Sequence, residues 1–99
     1  MTAEKSSREL GAYRVVRADK IPWRPAMDTV LGVLAKIGRA GTVVVIRSHT
    51  TLGEHTVRNA LTDLLHKGMV HRTDGRPAYY RINEYGRRLV TRNSGRFGL

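Results

Sequence analysis

Apolar residues recur at helical spacing in the first third of the chain. They form one stripe made of Met27, Val30, Leu31, Leu34 and Ile37, and intervals of three and four residues place such a set on one face of an α-helix. Pro25 suits the first turn of a helix, and Gly38 and Gly41 tolerate the backbone conformations that end one. The pattern therefore predicts a helix that begins at Pro25 and ends before these glycines.

A second stripe at the same spacing lies in the middle of the chain and contains Val57, Ala60, Leu61, Leu64 and Leu65. Gly53 stands near its start, and Gly68 closes it directly after Lys67, a favourable cation at the negative end of a helix. The opposite face carries polar residues, namely His55, Arg58, Asn59 and Thr62. This pattern predicts an amphipathic helix with one buried and one polar face.

Two short stretches with period-two alternation follow, "MVHRT" and "AYYRI", separated by "DGRP". Asp74-Gly75 favours a hairpin turn because Gly accepts positive φ. In the second strand Ala78, Tyr80 and Ile82 share the core-facing side, and Tyr79 and Arg81 share the other. Asn83 is a good cap for a closing helix with Glu84 in its first turn, docked by Leu89 and Val90.

The segment "TVVVIRSHT", residues 42–50, supports two interpretations. Four consecutive β-branched residues favour a buried strand. Its position between two helices favours instead a short helix capped by Thr42. The pattern alone leaves both open.

The predicted organisation is one small domain with basic extensions. Residues 1–24 are expected to form a basic N-terminal arm, partly disordered, with an extended segment around Val15 and with Ile21 and Trp23 as apolar anchors. Residues 25–90 form the folded domain, and residues 91–99 a flexible basic tail.

The charge balance points to a polyanionic partner. The chain of 99 residues has 18 Lys and Arg against 8 Asp and Glu, a net charge of +10. Residues 25–90 hold ten basic and five acidic side chains, so the predicted domain itself carries +5. Because Arg dominates and its planar fork fits phosphate, nucleic acid is favoured over a membrane surface or an acidic protein.

Other classes of function find little support. Without cysteine there are no disulfides, thiolate zinc sites or iron–sulfur clusters. No apolar run approaches the roughly 18 to 20 residues of a membrane span, and the N-terminus lacks a signal-peptide pattern, so we expect a cytoplasmic protein without membrane contact. The four His residues lack metal-ligand spacing, and no catalytic constellation stands out. We expect no enzyme activity, metal or cofactor.

Two segments carry a resemblance to a known superfamily. "HTVRNALTDLLHKGMVHR" resembles the recognition helix and first wing strand of MarR-, PadR- and GntR-type bacterial regulators. "YYRINEYGRRLV" resembles the second wing strand and following helix of the same superfamily. The resemblance covers about 40 residues. It implies an α+β winged helix, with a three-helix core, a two-stranded β-hairpin wing and an extended N-terminal arm, that binds double-stranded DNA as a homodimer to regulate transcription.

Candidate DNA-contacting residues follow from this arrangement. Base contacts are expected from the early turns of the recognition helix, where side chains reach deepest into the major groove: His55, Thr56, Arg58, Asn59 and Thr62. Arg58 suits guanine and Asn59 suits adenine. Glu54 would read cytosine or favour the positive end of the helix. Backbone and wing contacts are expected from Arg39, Arg47, Arg72, Gly75, Arg76 and Arg81. The pattern of Arg14, Arg17, Lys20 and Arg24 favours equally a basic arm along DNA and a flexible solvated arm.

Three functions remain open on these grounds. The first is a sequence-specific DNA-binding regulator, the second an architectural DNA- or RNA-binding protein without base specificity, and the third a protein-interaction module. A dimer would use the N-terminal arm, Trp23 and the first helix. The sequence identifies neither the target DNA nor a small-molecule effector.

Overall fold

The computed structural model describes residues 20–93 and residue 95. Most of the predicted arm and tail lie outside the described residues. The order of elements is α1 (Pro25–Ile37), α2 (Val43–Ser48), α3 (Glu54–His66), β1 (Val70–Arg72), β2 (Tyr80–Ile82) and α4 (Glu84–Arg92). The four helices and the antiparallel hairpin of the described residues confirm the predicted α+β class. The strands are shorter than predicted, and α4 runs on to Arg92, two residues beyond the boundary placed at residue 90.

The core is formed where α1, α2, α3 and the hairpin meet. The two predicted stripes supply most of it, and the largest fully buried side chains are Met27, Leu31, Leu34, Ile46, Leu61, Leu64, Val30 and Val57. Leu65 is only half-buried. Ile21 is buried, and Trp23 packs against the core and donates from Nε1 to Asp28 Oδ1 at 2.6 Å. Both predicted apolar anchors therefore dock on the domain.

The ambiguous segment 42–50 contains a helix. Thr42 Oγ1 accepts a hydrogen bond from Val45 N at 3.2 Å, which caps α2 as the second interpretation required. Val43 and Ile46, three residues apart, are buried, whereas Val44 is 75% exposed. A strand buried on both faces would have hidden all three side chains, so the burial pattern agrees with the helix and excludes the strand.

Gly41, two residues before α2, does pair with a strand. Gly41 exchanges two backbone hydrogen bonds with Tyr80, at 2.8 and 2.9 Å, so β2 pairs with β1 on one side and with Gly41 on the other. Gly38 alone is the cap of α1, with φ of +66°. A Cβ at Gly41 would lie 3.2 Å from Ile37 Cδ1. The second predicted helix stop is therefore a close contact that anchors the start of β2.

The hairpin and α4 are fastened to the end of α3 by Asn83. Its Oδ1 accepts from Gly86 N at 2.8 Å, the predicted cap of α4, and its Nδ2 donates to Gly68 O at 2.6 Å. Gly86 lies so close to β1 that a Cβ there would be 2.6 Å from Met69 O. The strand register pairs Val70 with Ile82, His71 with Arg81 and Arg72 with Tyr80. Period-two alternation then gives the hairpin one face toward the core and one toward solvent.

Candidate nucleic-acid interface

The polar face of α3 is open to solvent along its length. The exposed residues are Glu54, His55, Thr56, Arg58, Asn59 and Thr62, opposite the buried Val57, Ala60, Leu61 and Leu64. The spacing of His55, Asn59 and Thr62 places them along one line at the centre of this face. Thr62 Oγ1 donates to Arg58 O at 3.0 Å, so its methyl group and oxygen lone pairs remain available. The sequence prediction of an exposed polar face on this helix is confirmed.

Arg58 is held by a carboxylate of its own helix. Its Nε and Nη2 lie 2.9 and 2.8 Å from Glu54 Oε2, one turn earlier. The pair is more than half exposed, so it contributes only about 0.3–0.5 kcal/mol to stability. Its effect is directional: the edge of the guanidinium formed by Nη1 and the outer hydrogen of Nη2 remains free. That edge has the paired donors that guanine O6 and N7 accept.

A groove separates α3 from the hairpin and is lined by arginines from both. Arg58 comes from α3, Arg72 from the end of β1 and Arg76 from the loop between the strands. Thr42, Val43 and Val44 at the start of α2 close one end, and Gly75, Pro77, Ala78 and Tyr80 complete the wall. The groove encloses about 440 Å³ and has no acidic residue in its lining. A narrow cationic groove beside a polar helix face suits one strand of a phosphodiester backbone.

Comparison with solved structures finds a similar fold elsewhere. ZitR from Lactococcus lactis, in the apo form of a double mutant, superposes with a TM-score of 0.62 at 14% identity, over 95% of this chain and 63% of that one. The adhesin competence repressor AdcR from Streptococcus pyogenes gives 0.64 at 17%, over 96% and 72%. NMB1585, a MarR family regulator from Neisseria meningitidis, gives 0.61 at 18%, over 97% and 66%.

The chain has a winged-helix fold. The superpositions cover nearly all of this chain but only about two-thirds of the ZitR and NMB1585 chains. No protein-family model matches the sequence, and no curated protein does. At these identities the likeness shows the fold. By position in this fold α2 and α3 correspond to the helix-turn-helix pair and the hairpin to the wing, and α3 is called the recognition helix below for its position.

The wing carries arginines on both of its faces. Arg72 lies on the groove side, with Nε 3.3 Å from the Tyr80 hydroxyl and its guanidinium carbon 6.0 Å from the ring centre, a cation–π contact. Gly75, with φ of +130°, and Arg76 form the exposed tip, and the predicted positive φ is confirmed. Tyr80 is buried as predicted. Arg81 pairs across the hairpin with His71 on the outer face, so the structure does not bring this predicted wing contact to the groove.

The groove does not gather every predicted contact. Arg39 is exposed in the loop after α1, and Arg47 is exposed near the end of α2; neither lines the groove. Thr56 and Asn59 line a separate concavity on the α1 side of the recognition helix. The roles of all these residues in binding stay predictions. Arg24, expected in a free arm, instead forms an ion pair with Asp63 at 2.8 Å. This pair ties the segment before α1 to the recognition helix.

Two contacts at this surface were missed from the sequence. The spacing of Glu54 and Arg58, four residues apart with the acid first, is itself the signal of a helical ion pair. The Arg24–Asp63 pair joins residues 39 positions apart, so no local sequence pattern predicts it. Both pairs neutralise acids on the recognition helix, which lowers its repulsion of phosphate.

Within residues 20–93 and 95, no three His, Asp or Glu side chains come together as metal ligands. Among the same residues, none of the helices has the length and apolar character needed to cross a bilayer.

Proposed function

We propose that this protein is a sequence-specific double-stranded DNA-binding regulator of transcription. The recognition helix lies in the major groove, where every base pair presents a distinct donor and acceptor pattern. The wing reaches the adjacent backbone. The observation that carries the proposal is the groove in which Arg58, Arg72 and Arg76 converge beside an exposed polar helix face. MarR-family regulation by the structural neighbour NMB1585 supports the same assignment.

The bases are read by two kinds of side chain in this proposal. Arg58, oriented by Glu54, donates two hydrogen bonds to a guanine. His55, Asn59 and Thr62, along the centre of the face, meet neighbouring base edges, and Thr56 contacts the side toward α1. The base contacts are thus spread across the width of the helix rather than concentrated at one point.

The phosphate backbone is held from two directions. Arg72 and Arg76 hold the strand that lies in the groove, and the backbone N–H of Gly75 at the tip approaches closely because no side chain intervenes. Arg39 and Arg47 hold the backbone from the side of α2. These contacts set affinity and register, and the helix contacts set specificity.

Selection of bound sequences from a random duplex pool tests this function, with the pool read at two salt concentrations. We expect enrichment of a defined motif and an affinity that falls steeply with salt as counterions are released. Equal affinity for selected duplex, random duplex and RNA would contradict base specificity and favour an architectural role. Salt-insensitive binding to a protein, without DNA binding, would favour an interaction module.

We further propose that the regulator acts as a homodimer on DNA in the cytoplasm, without a cofactor. Two-fold symmetry of the protein would then appear as a palindrome in the selected motif. Sedimentation of the chain with and without residues 1–19 tests whether the arm contributes. This truncation keeps Ile21, which is buried, and Trp23, which packs on the core. We expect weaker self-association, and an unchanged dimer would exclude the arm.

A further inference from the structure

The wing and α4 present a second basic surface on the side away from the groove. It consists of His71, Arg81, Arg87, Arg88 and Arg92, called here the outer basic surface. His71 and Arg81 are paired across the hairpin and both are exposed. Arg87 lines one depression with them and a second with Arg88 and Arg92. The set is continuous across two elements of the fold.

The charge of this surface is almost uncompensated. Glu84 is the one acidic residue that lines either depression, and its carboxylate lies 3.1 Å from Arg88 Nη2. Four arginines against one carboxylate leave a net charge of +3 with His71 neutral. The lining of the groove, with Arg58, Arg72 and Arg76 and no acidic residue, also has a net charge of +3. The surface that lies off the proposed reading face is therefore as strongly charged as the groove.

The outer basic surface and the groove lie on opposite faces of the wing. Strand alternation directs Arg72 and Tyr80 to the groove side and His71 and Arg81 to the other. A straight duplex against the recognition helix is therefore on the wrong side of the hairpin to neutralise Arg81 and Arg87. An anionic partner that contacts them is therefore a second segment, separate from that duplex.

The chemistry of the lining favours nucleic acid over a protein as that partner. One depression is lined by charged residues and Thr91, and in the other the sole apolar side chain, Ile82, is buried. Protein interfaces have an apolar core depleted in charge, whereas nucleic-acid interfaces are polar and strongly positive. Arginine forks on an exposed, shallow surface fit successive phosphates without reading bases.

We propose that the outer basic surface binds the backbone of a second nucleic-acid segment, so that the protein bridges two duplexes. The proposal rests on the proposed function for the first duplex and adds a second contact that is independent of sequence. Its consequence is a regulator that holds a selected site through the recognition helix and a non-selected segment through the opposite side of the wing.

A two-duplex capture assay tests the proposal. A short duplex with the selected motif is immobilised, the full chain is added, and retention of a second, labelled random duplex is measured. We expect the wild type to retain the second duplex and Arg81→Ala/Arg87→Ala to retain roughly tenfold less, because two phosphate contacts are lost. The salt dependence should change as well, since each lost contact lowers the log–log salt slope by about 0.9. Binding to the first duplex, measured alone, should change less than twofold. Both arginines are exposed, so the double variant should fold normally.

Two variants serve as controls. Arg81→Lys/Arg87→Lys keeps the charge and should retain most of the second duplex. Lys36→Ala removes an exposed charge that lines neither surface and should leave both bindings unchanged.

Four outcomes would overturn the proposal. In the first, the wild type does not retain the second duplex. In the second, the Arg81→Ala/Arg87→Ala variant retains it as well as the wild type does, as a dimer that bridges two duplexes with its two grooves would. In the third and fourth, this variant loses first-duplex binding to the same extent, or the wild type captures polyglutamate instead of duplex with the same dependence on arginine. Failure of the wild type to bind the first duplex would instead count against the proposed function.

Discussion

At the scale of single residues, Glu54 determines how Arg58 can meet a base pair. A free arginine samples many rotamers, and ordering it on DNA costs conformational entropy. The two contacts to Glu54 Oε2 favour one orientation of the guanidinium plane before DNA binds. The carboxylate also repels phosphate, so the same residue favours base discrimination and opposes non-specific attachment.

Glu54→Gln should separate these two effects. Loss of the negative charge should raise affinity for random duplex several-fold, and loss of the charge-assisted pair should reduce the preference for guanine at the position read by Arg58. Titration of random duplex and of a set of single-base variants at fixed salt measures both. Weaker binding to random duplex would contradict this role. Asp74→Asn, which removes an exposed acid from the loop of the wing, controls for the change in net charge.

Gly86→Ala should destabilise the fold. A methyl group there would lie 2.6 Å from the Met69 carbonyl oxygen and 3.0 Å from Ile82 Cγ1. Such overpacking costs about 1–3 kcal/mol, against the roughly 1 kcal/mol that Ala gains over Gly inside a helix. Chemical denaturation measures the net loss in the free energy of unfolding. Gly95→Ala, where nothing lies within 4 Å, should leave stability unchanged, and equal stabilities for the two variants would contradict the packing argument.

At the scale of elements, α2 shows where a local pattern stops being decisive. Its β-branched residues favour a strand by propensity, and the core selects the helix because Val43 and Ile46 reach it from one face. Thr42 then supplies a cap for a helix of six residues, too short to be stable by itself. Packing and capping together override propensity.

Thr42→Ala should therefore weaken the anchorage of α2. Loss of an N-cap side chain costs about 1 kcal/mol, and since Thr42 also lines the groove, affinity for duplex should fall with it. Thermal unfolding and duplex titration on the same samples check both. Thr51→Ala, at an exposed position in the turn before α3, is the matched control. A Thr42 variant as stable as this control would show that packing alone holds α2.

Some structural features are predictable from the local sequence, and others depend on tertiary contacts. The stripes of α1 and α3, the positive φ of Gly75 and the Asn83 cap depend on neighbours within a few residues, so the sequence predicts them. The bridge between Gly41 and Tyr80 joins distant segments, and its glycine is indistinguishable locally from a helix stop. Tertiary contact decides such positions.

At the scale of the whole molecule, the arginines are sorted onto different faces. Composition predicts a polyanionic partner, because an excess of ten positive charges needs one. Composition contains no information on which cations act together. The alternation of Tyr80 and Arg81 in β2 predicts part of this grouping, because it places neighbouring side chains on opposite sides of the wing. The convergence of Arg58 with Arg72 and Arg76 depends on how α3 packs beside the hairpin.

Arg58→Ala and Arg76→Ala should affect DNA binding differently. Loss of Arg58 should cost about 1–3 kcal/mol of discrimination at one base pair. Loss of Arg76, at the exposed tip, should weaken all sequences evenly and lower the log–log salt slope by about 0.9. Affinities for a panel of duplexes at several salt concentrations distinguish the two, with Lys36→Ala as the charge control. If neither change altered affinity, the groove would not be the binding surface.

The anchorage of β2 to Gly41 has a consequence for how such a molecule can vary. Those two hydrogen bonds hold Tyr80, the first residue of β2, directly after the loop that contains residues 74–78. Insertions or deletions at the tip can therefore alter its reach while the recognition helix keeps its position. The length of DNA that the protein covers can therefore change independently of the bases that it reads. Closely related chains can differ in the first property and share the second.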